Sequence, residues 1–167
     1  FHTIQMIKKT LLLLSIVGCL NGCINDDICP EETPTTPLLI ITFNDVTSPS
    51  VAKSVSNLTI ETDQDTPIVF VTNISTDSIG IPLRTGADNL SYRFIRNIGE
   101  TDEIIDVYEF TYERSDIYLN RACGFKTTYN NLSASETDPG VIDWILNLSI
   151  LNTTVEDETK AHITILH

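Results

Sequence analysis

Asp138-Pro139-Gly140-Val141-Ile142-Asp143-Trp144-Ile145-Leu146-Asn147-Leu148-Ser149-Ile150 carries the pattern that decides the fold. After the turn signal Asp138-Pro139-Gly140, apolar residues fall at every second position: Ile142, Trp144, Leu146, Leu148 and Ile150. Asp143, Asn147 and Ser149 lie between them. A period of two marks a strand with one dry and one wet face. The same pattern returns over residues 105–113, where Tyr108, Phe110 and Tyr112 oppose Glu109, Thr111 and Glu113. Working outward, further strands are expected over residues 38–44, 57–62, 67–73, 90–97, 116–123, 124–130 and 161–167. Clusters such as Thr47-Ser48-Pro49-Ser50 and Thr85-Gly86-Ala87-Asp88 read as the turns between them. Helical periodicity is hard to find. About nine short strands at this spacing predict an all-β domain, a two-layer antiparallel β-sandwich of Ig-like type, with a barrel as the second choice.

The amino-terminal stretch has a different logic. Lys8-Lys9 precede the apolar run from Leu11 to Gly22, and Cys23 follows directly. The run is too short to span a bilayer, which takes about 20 residues, but it suits a signal-peptide core. Met6 is the sole methionine and reads as the start, with residues 1–5 upstream of it. Residues 1–22 are thus expected to be a signal peptide cleaved before Cys23, whose thiol takes the lipid. Cys19 is the competing site. It has the tidier local pattern, Ile16-Val17-Gly18-Cys19, but leaves too short an apolar core. Residues 23–37 then form a tether, in which Pro34 and Pro37 forbid helix, and residues 38–167 form the domain. Asn25-Asp26-Asp27 resembles the surface-export signal of Bacteroidetes lipoproteins. A lipid anchor would be redundant on an outer-membrane barrel, and the charged outward faces also count against one.

Without Lys8 and Lys9 the chain keeps 8 basic against 23 acidic side chains, a net of −15. Nucleic acid as a partner is excluded, because its phosphates require Lys and Arg. Electrostatic docking of the whole domain on anionic lipid is disfavoured on the same ground.

Several segments together resemble an uncharacterised family of Bacteroidetes lipoproteins, a domain of unknown function. They are Asp26-Asp27-Ile28-Cys29-Pro30 with Thr33-Pro34-Thr35-Thr36-Pro37-Leu38-Leu39-Ile40-Ile41, then Pro82-Leu83-Arg84-Thr85 and Tyr92-Arg93-Phe94. Tyr112-Glu113-Arg114, Arg121-Ala122-Cys123-Gly124-Phe125-Lys126-Thr127 and Ala161-His162-Ile163 complete the set. The resemblance implies export, lipidation and one domain. It carries no catalytic or binding residues.

Four cysteines are present. Cys19 leaves with the signal peptide and Cys23 is consumed by lipid, which leaves Cys29 and Cys123 in a compartment where thiols oxidise. A disulfide between them is the expectation. It would close a span of 94 residues, worth about 4–5 kcal/mol in the chain-entropy model.

The search for chemistry yields no catalytic set. His162 and His167, five apart in one expected strand, would face opposite sides, and no Cys/His spacing suits zinc. No metal site is therefore predicted. No serine sits in a nucleophile elbow. Glu61-Thr62-Asp63-Gln64-Asp65 and Glu100-Thr101-Asp102-Glu103 are acidic loops, but they lack the glycine and terminal glutamate of a calcium loop, so solvated loops and no cofactor are expected. Asp77-Ser78-Ile79 resembles the O-glycosylation motif of exported Bacteroidetes proteins and marks Ser78 as a sugar acceptor. Arg84, Arg93, Arg96, Arg114 and Arg121 are expected to pair with carboxylates.

The function these observations predict is an outer-membrane, lipid-anchored envelope protein, not an enzyme, acting as a binding or assembly accessory of an envelope complex. A glycan-binding module is the alternative, by fold analogy alone. A hydrolase built on paired carboxylates ranks last.

Overall fold

The structure, a computed structural model, describes residues 28–140 and 142–167. The expectations for Met6, Cys19, Cys23 and Asn25-Asp26-Asp27 lie outside the described residues. Two compact units are present. A small one joins residues 28–33 to Leu119–Gly124, and a larger one comprises Pro34–Tyr118 and Phe125–His167.

In chain order the strands are β1 (Leu39–Asp45), β2 (Ser48–Ala52), β3 (Val55–Thr62), β4 (Val69–Thr76) and β5 (Ser78–Ile81). They continue as β6 (Asn89–Arg96), β7 (Ile104–Asn120), β8 (Gly124–Glu136), β9 (Asn147–Ile150) and β10 (Ile163–Leu166). One sheet runs β2-β1-β10-β9, with β5 also against β1, and the other runs β4-β3-β6-β7-β8. They pack as a sandwich. Leu39, Ile41, Phe43, Ile163 and Ile165 come from the first sheet and Leu58, Ile60, Tyr92, Phe94, Phe110 and Tyr112 from the second, all in one core. Tyr92, Phe94, Tyr108 and Phe110 meet edge to face, the arrangement that ring quadrupoles favour.

The all-β sandwich stands, but the expectation of antiparallel pairing throughout does not. β1 pairs β10 in parallel, Ile41 opposite Ile163 and Phe43 opposite Ile165, so the first sheet is mixed. A parallel neighbour requires a long crossover; here nearly the whole domain supplies it, a separation that local patterning does not encode. Of the turn expected at Thr47-Ser48-Pro49-Ser50, Thr47 lies in the β1–β2 turn and the other three begin β2, an exposed edge strand, where a proline costs no ladder bond. The strands expected at 105–113 and 116–123 are one, because Arg114-Ser115 is polar without being a breaker.

The defining stretch itself splits. β9 begins only at Asn147; Trp144 and Ile145 are both buried, while Ile142 and Leu146 are exposed. Alternation fails there because consecutive backbone N–H groups of Trp144 and Ile145 are gathered onto the Asp106 carboxylate, at 3.1 and 2.7 Å. Two neighbouring side chains are thereby turned inward together.

Four asparagines take up left-handed backbone, Asn57, Asn73, Asn97 and Asn131, with φ from 52 to 56°. Asparagine tolerates this region better than other residues with a side chain. Asn57 and Asn73 lie where the β3–β4 register slips, as bulges require.

In the small unit Cys29 and Cys123 are bonded, with Cα atoms 4.9 Å apart, as the cysteine count predicts. Asn120 Oδ1 accepts the N–H groups of Ala122 and Cys123 at 2.9 and 2.8 Å, and Gly124 at φ 70° completes the turn.

Candidate functional site

A concavity lies beside the start of β4. It is built upward from the segment Pro82-Leu83-Arg84 that leaves β5. Three buried tyrosines hold this segment by its backbone. The Tyr92 hydroxyl donates to the Pro82 carbonyl, and that of Tyr129 donates to the Leu83 carbonyl at 3.1 Å. The Tyr112 hydroxyl accepts the Arg84 N–H at 2.9 Å. Burial pushes the Tyr129 phenol up to about 12 and raises those of Tyr92 and Tyr112 as well, so all three stay protonated at physiological pH. Strand alternation explains why they converge: Tyr92 and Tyr112 stand on core-facing positions of adjacent strands, and Tyr129 meets Tyr112 edge to face at 5.0 Å.

The pinned segment walls a pocket of about 100 Å³ with Ile68, Phe70, Leu90 and Tyr92, and Gln64 and Arg84 line it too. Phe70 stands edge-on to Tyr92, with centroids 5.5 Å apart. The volume falls short of a small-molecule site, commonly about 300 Å³ or more, and fits one or two apolar side chains. Next to it Ile68 and Val69 are 58 and 50% exposed, and β4 is an edge strand whose outward backbone groups have no neighbour in the sheet.

The residues singled out by sequence fall in separate places. Ser78 is exposed at the start of β5. His162 is buried, and its Nδ1 accepts the Ile40 N–H at 3.0 Å. His167 lies elsewhere, with Nε2 3.0 Å from the Lys53 carbonyl and its ring edge-on to Phe43 and Trp144. Burial lowers the pKa of both. Among the described residues no three His, Cys, Asp or Glu side chains are grouped to hold a metal. Glu61 is not in a loop: it sits on β3, largely buried, bonded to Arg93 at 2.7 Å. Asp102 and Glu103 brace their own turn, accepting from the Asn97 side-chain amide and the Gly99 N–H. Of the arginines, Arg93 and Arg114 pair with Glu61 and Asp88 as expected. Arg96 departs from that expectation and stacks over Trp144 at 5.7 Å.

Sequence reading missed Asp106. It is fully buried on the core face of β7, opposite Phe94, with Oδ2 on the Trp144 and Ile145 N–H groups and Oδ1 without a partner. Burial, opposed by those bonds and reinforced by the charges of Asp143 and Glu136, pushes its pKa up to about 6. The signal was visible: position 106 is in phase with Tyr108, Phe110 and Tyr112, and an acid on a dry face needs a reason. The reason here is structural, since the carboxylate holds a turn.

No curated protein and no solved structure matches the chain. A family model covers residues 54–167, which takes in β3 to β10 and leaves out β1 and β2 although both pair within the same sheet. On that match, the chain belongs to the Family of unknown function (DUF6452).

Proposed function

We propose that this protein is an exported lipoprotein of the bacterial outer membrane. In this reading it is not an enzyme but an assembly accessory that receives an extended segment of an envelope partner along β4. The observation that carries the reading is the conjunction at one edge. Unpaired backbone, the exposed side chains of Ile68 and Val69, and a rigid pocket for an apolar side chain lie together. Strand addition uses these parts: backbone hydrogen bonds give affinity, and pockets for alternate side chains give selectivity. Arg84, exposed beside the pocket, favours a segment with an acidic residue next to the inserted one. The slip at Asn73 limits the usable edge to the stretch before it. The anchor rests on Lys8-Lys9, the apolar run and Cys23.

A photo-crosslinking residue placed at Val69 in living cells is expected to trap one discrete neighbour, and the same residue at Val51, on the edge of the other sheet, to trap none. Equal or absent products at both positions would refute the edge as the docking site. A clickable fatty acid is expected to label the wild type and not Cys23→Ala; equal labelling would move the lipid to Cys19. Ser78 glycosylation is read from the intact mass of native protein against Ser78→Ala, and identical sugar-free masses would end it.

A further inference from the structure

The outer half of the β7–β8 hairpin has a composition unlike the rest of the chain. From Ile117 to Ser135 there is no acidic residue, the longest such run after Asp26 in a chain holding 23 of them, while Arg121 and Lys126 fall within it. Asp116, just before the run, is bonded to the Thr127 hydroxyl at 2.7 Å, and the Arg114 charge is matched by Asp88. Within this acid-free stretch two aromatics face solvent. Tyr118 is 59% and Phe125 66% exposed, their rings edge to face at 5.2 Å, with Ile117 exposed beside Tyr118 in sequence. β7 is exposed at every position from Glu113 to Tyr118, while on β8 burial begins only at Thr127.

Covalent connectivity supplies the neighbour. Cys29 is bonded to Cys123, two residues before Phe125. Six residue steps separate Cys23 from Cys29; at about 3.5 Å each, plus the bridge and two more steps, Phe125 stays within roughly 35 Å of a lipid on Cys23. That bound holds whatever path the tether takes. A chain of net −15 is repelled by an anionic bilayer over about a Debye length; residues 117–135 add no negative charge to that repulsion. Tyrosine belongs at the boundary between headgroups and acyl chains, and basic side chains add attraction to anionic lipid.

We propose that the β7–β8 hairpin, through Tyr118 and Phe125, rests in the headgroup layer of the bilayer that carries the chain's own lipid. The tether and hairpin together then form a two-point mount that fixes which side of the sandwich faces away from the membrane. This rests on lipidation at Cys23. The test uses full-length protein purified from membranes and reconstituted on phosphatidylethanolamine–phosphatidylglycerol vesicles containing doxyl-labelled acyl chains. Phe125→Trp is the reporter, Val51→Trp the control on the other sheet, and wild type gives the signal of Trp144. Loss of the emission added at position 125, with that at position 51 retained, is expected. An acylated chain that co-sediments with vesicles but whose 125 reporter keeps its emission overturns the mount alone, as does equal quenching at 51 and 125. A chain without acyl mass that fails to co-sediment overturns the anchor, and the mount with it.

Discussion

Asp106→Asn tests the central polar feature of the core. Asparagine keeps an oxygen for the Trp144 and Ile145 N–H groups and removes only the charge and its titration. Folding raises the Asp106 pKa from 3.8 to about 6, so between those values the folded state holds a proton that the unfolded state has released. By linkage this group therefore stabilises the fold as pH falls, and that contribution is lost as pH rises through about 6. Between pH 7.5 and 4.5 the gain is about 2 kcal/mol, at 1.36 kcal/mol per unit over the interval in which only the folded form is protonated. His162 and His167 act in the opposite sense. Burial lowers their folded pKa values, so stability is lost as pH falls through the ordinary histidine range. The wild-type profile alone would mix these effects, whereas the difference between wild type and Asp106→Asn cancels them. Urea unfolding of the oxidised protein at both pH values is the assay. The stability of wild type minus that of the variant is expected to be about 2 kcal/mol larger at pH 4.5 than at pH 7.5. An unchanged difference would show that folding does not raise the Asp106 pKa.

Cys123→Ser should lower stability by up to about 4–5 kcal/mol on the chain-entropy model for a 94-residue span, read from the urea midpoint; a change below about 1 kcal/mol would show that the span gains nothing from closure. Tyr129→Phe removes the donor to the buried Leu83 carbonyl and should cost about 1–3 kcal/mol. It should also weaken crosslinking from position 69, since it loosens the pocket wall; full retention of both stability and crosslinking would refute the role of the tyrosine pins. Asn73→Gly should be nearly neutral, whereas Asn73→Ala at φ 54° should cost about 1–2 kcal/mol. Thermal melts of the pair decide this, and equal melting points would remove the left-handed requirement.

The sandwich was legible in the chain where each residue answers to its own neighbours. Tyr108, Phe110 and Tyr112 are buried on one face of β7 as their spacing predicts, and Cys29 and Cys123, the two cysteines expected to pair, are bonded. What was not legible depends on partners remote in sequence. The parallel β1–β10 pair joins segments about 120 residues apart. Ile142 and Leu146 read as core because alternation cannot register that Asp106, nearly forty residues earlier, draws the backbone of Trp144 and Ile145 inward. The pocket beside β4 was hidden for the same reason: its wall is Pro82-Leu83-Arg84, quoted above only for its resemblance, and its pins are three tyrosines from three other strands.

The parallel pairing of β1 with β10 also sets the order in which the protein can be made. β10 is the sole sheet neighbour of β9 and one of the flanks of β1, so the first sheet cannot close until Ile163–Leu166 have been synthesised. Pairings between distant segments are slow, because the entropy of closing the intervening chain must be met before any contact is gained. The second sheet, β4-β3-β6-β7-β8, is complete at Glu136 and needs nothing from β10, so the delay belongs to the first sheet alone. For the exported chain we propose, the β1–β10 pairing is the step left for the far side of the membrane.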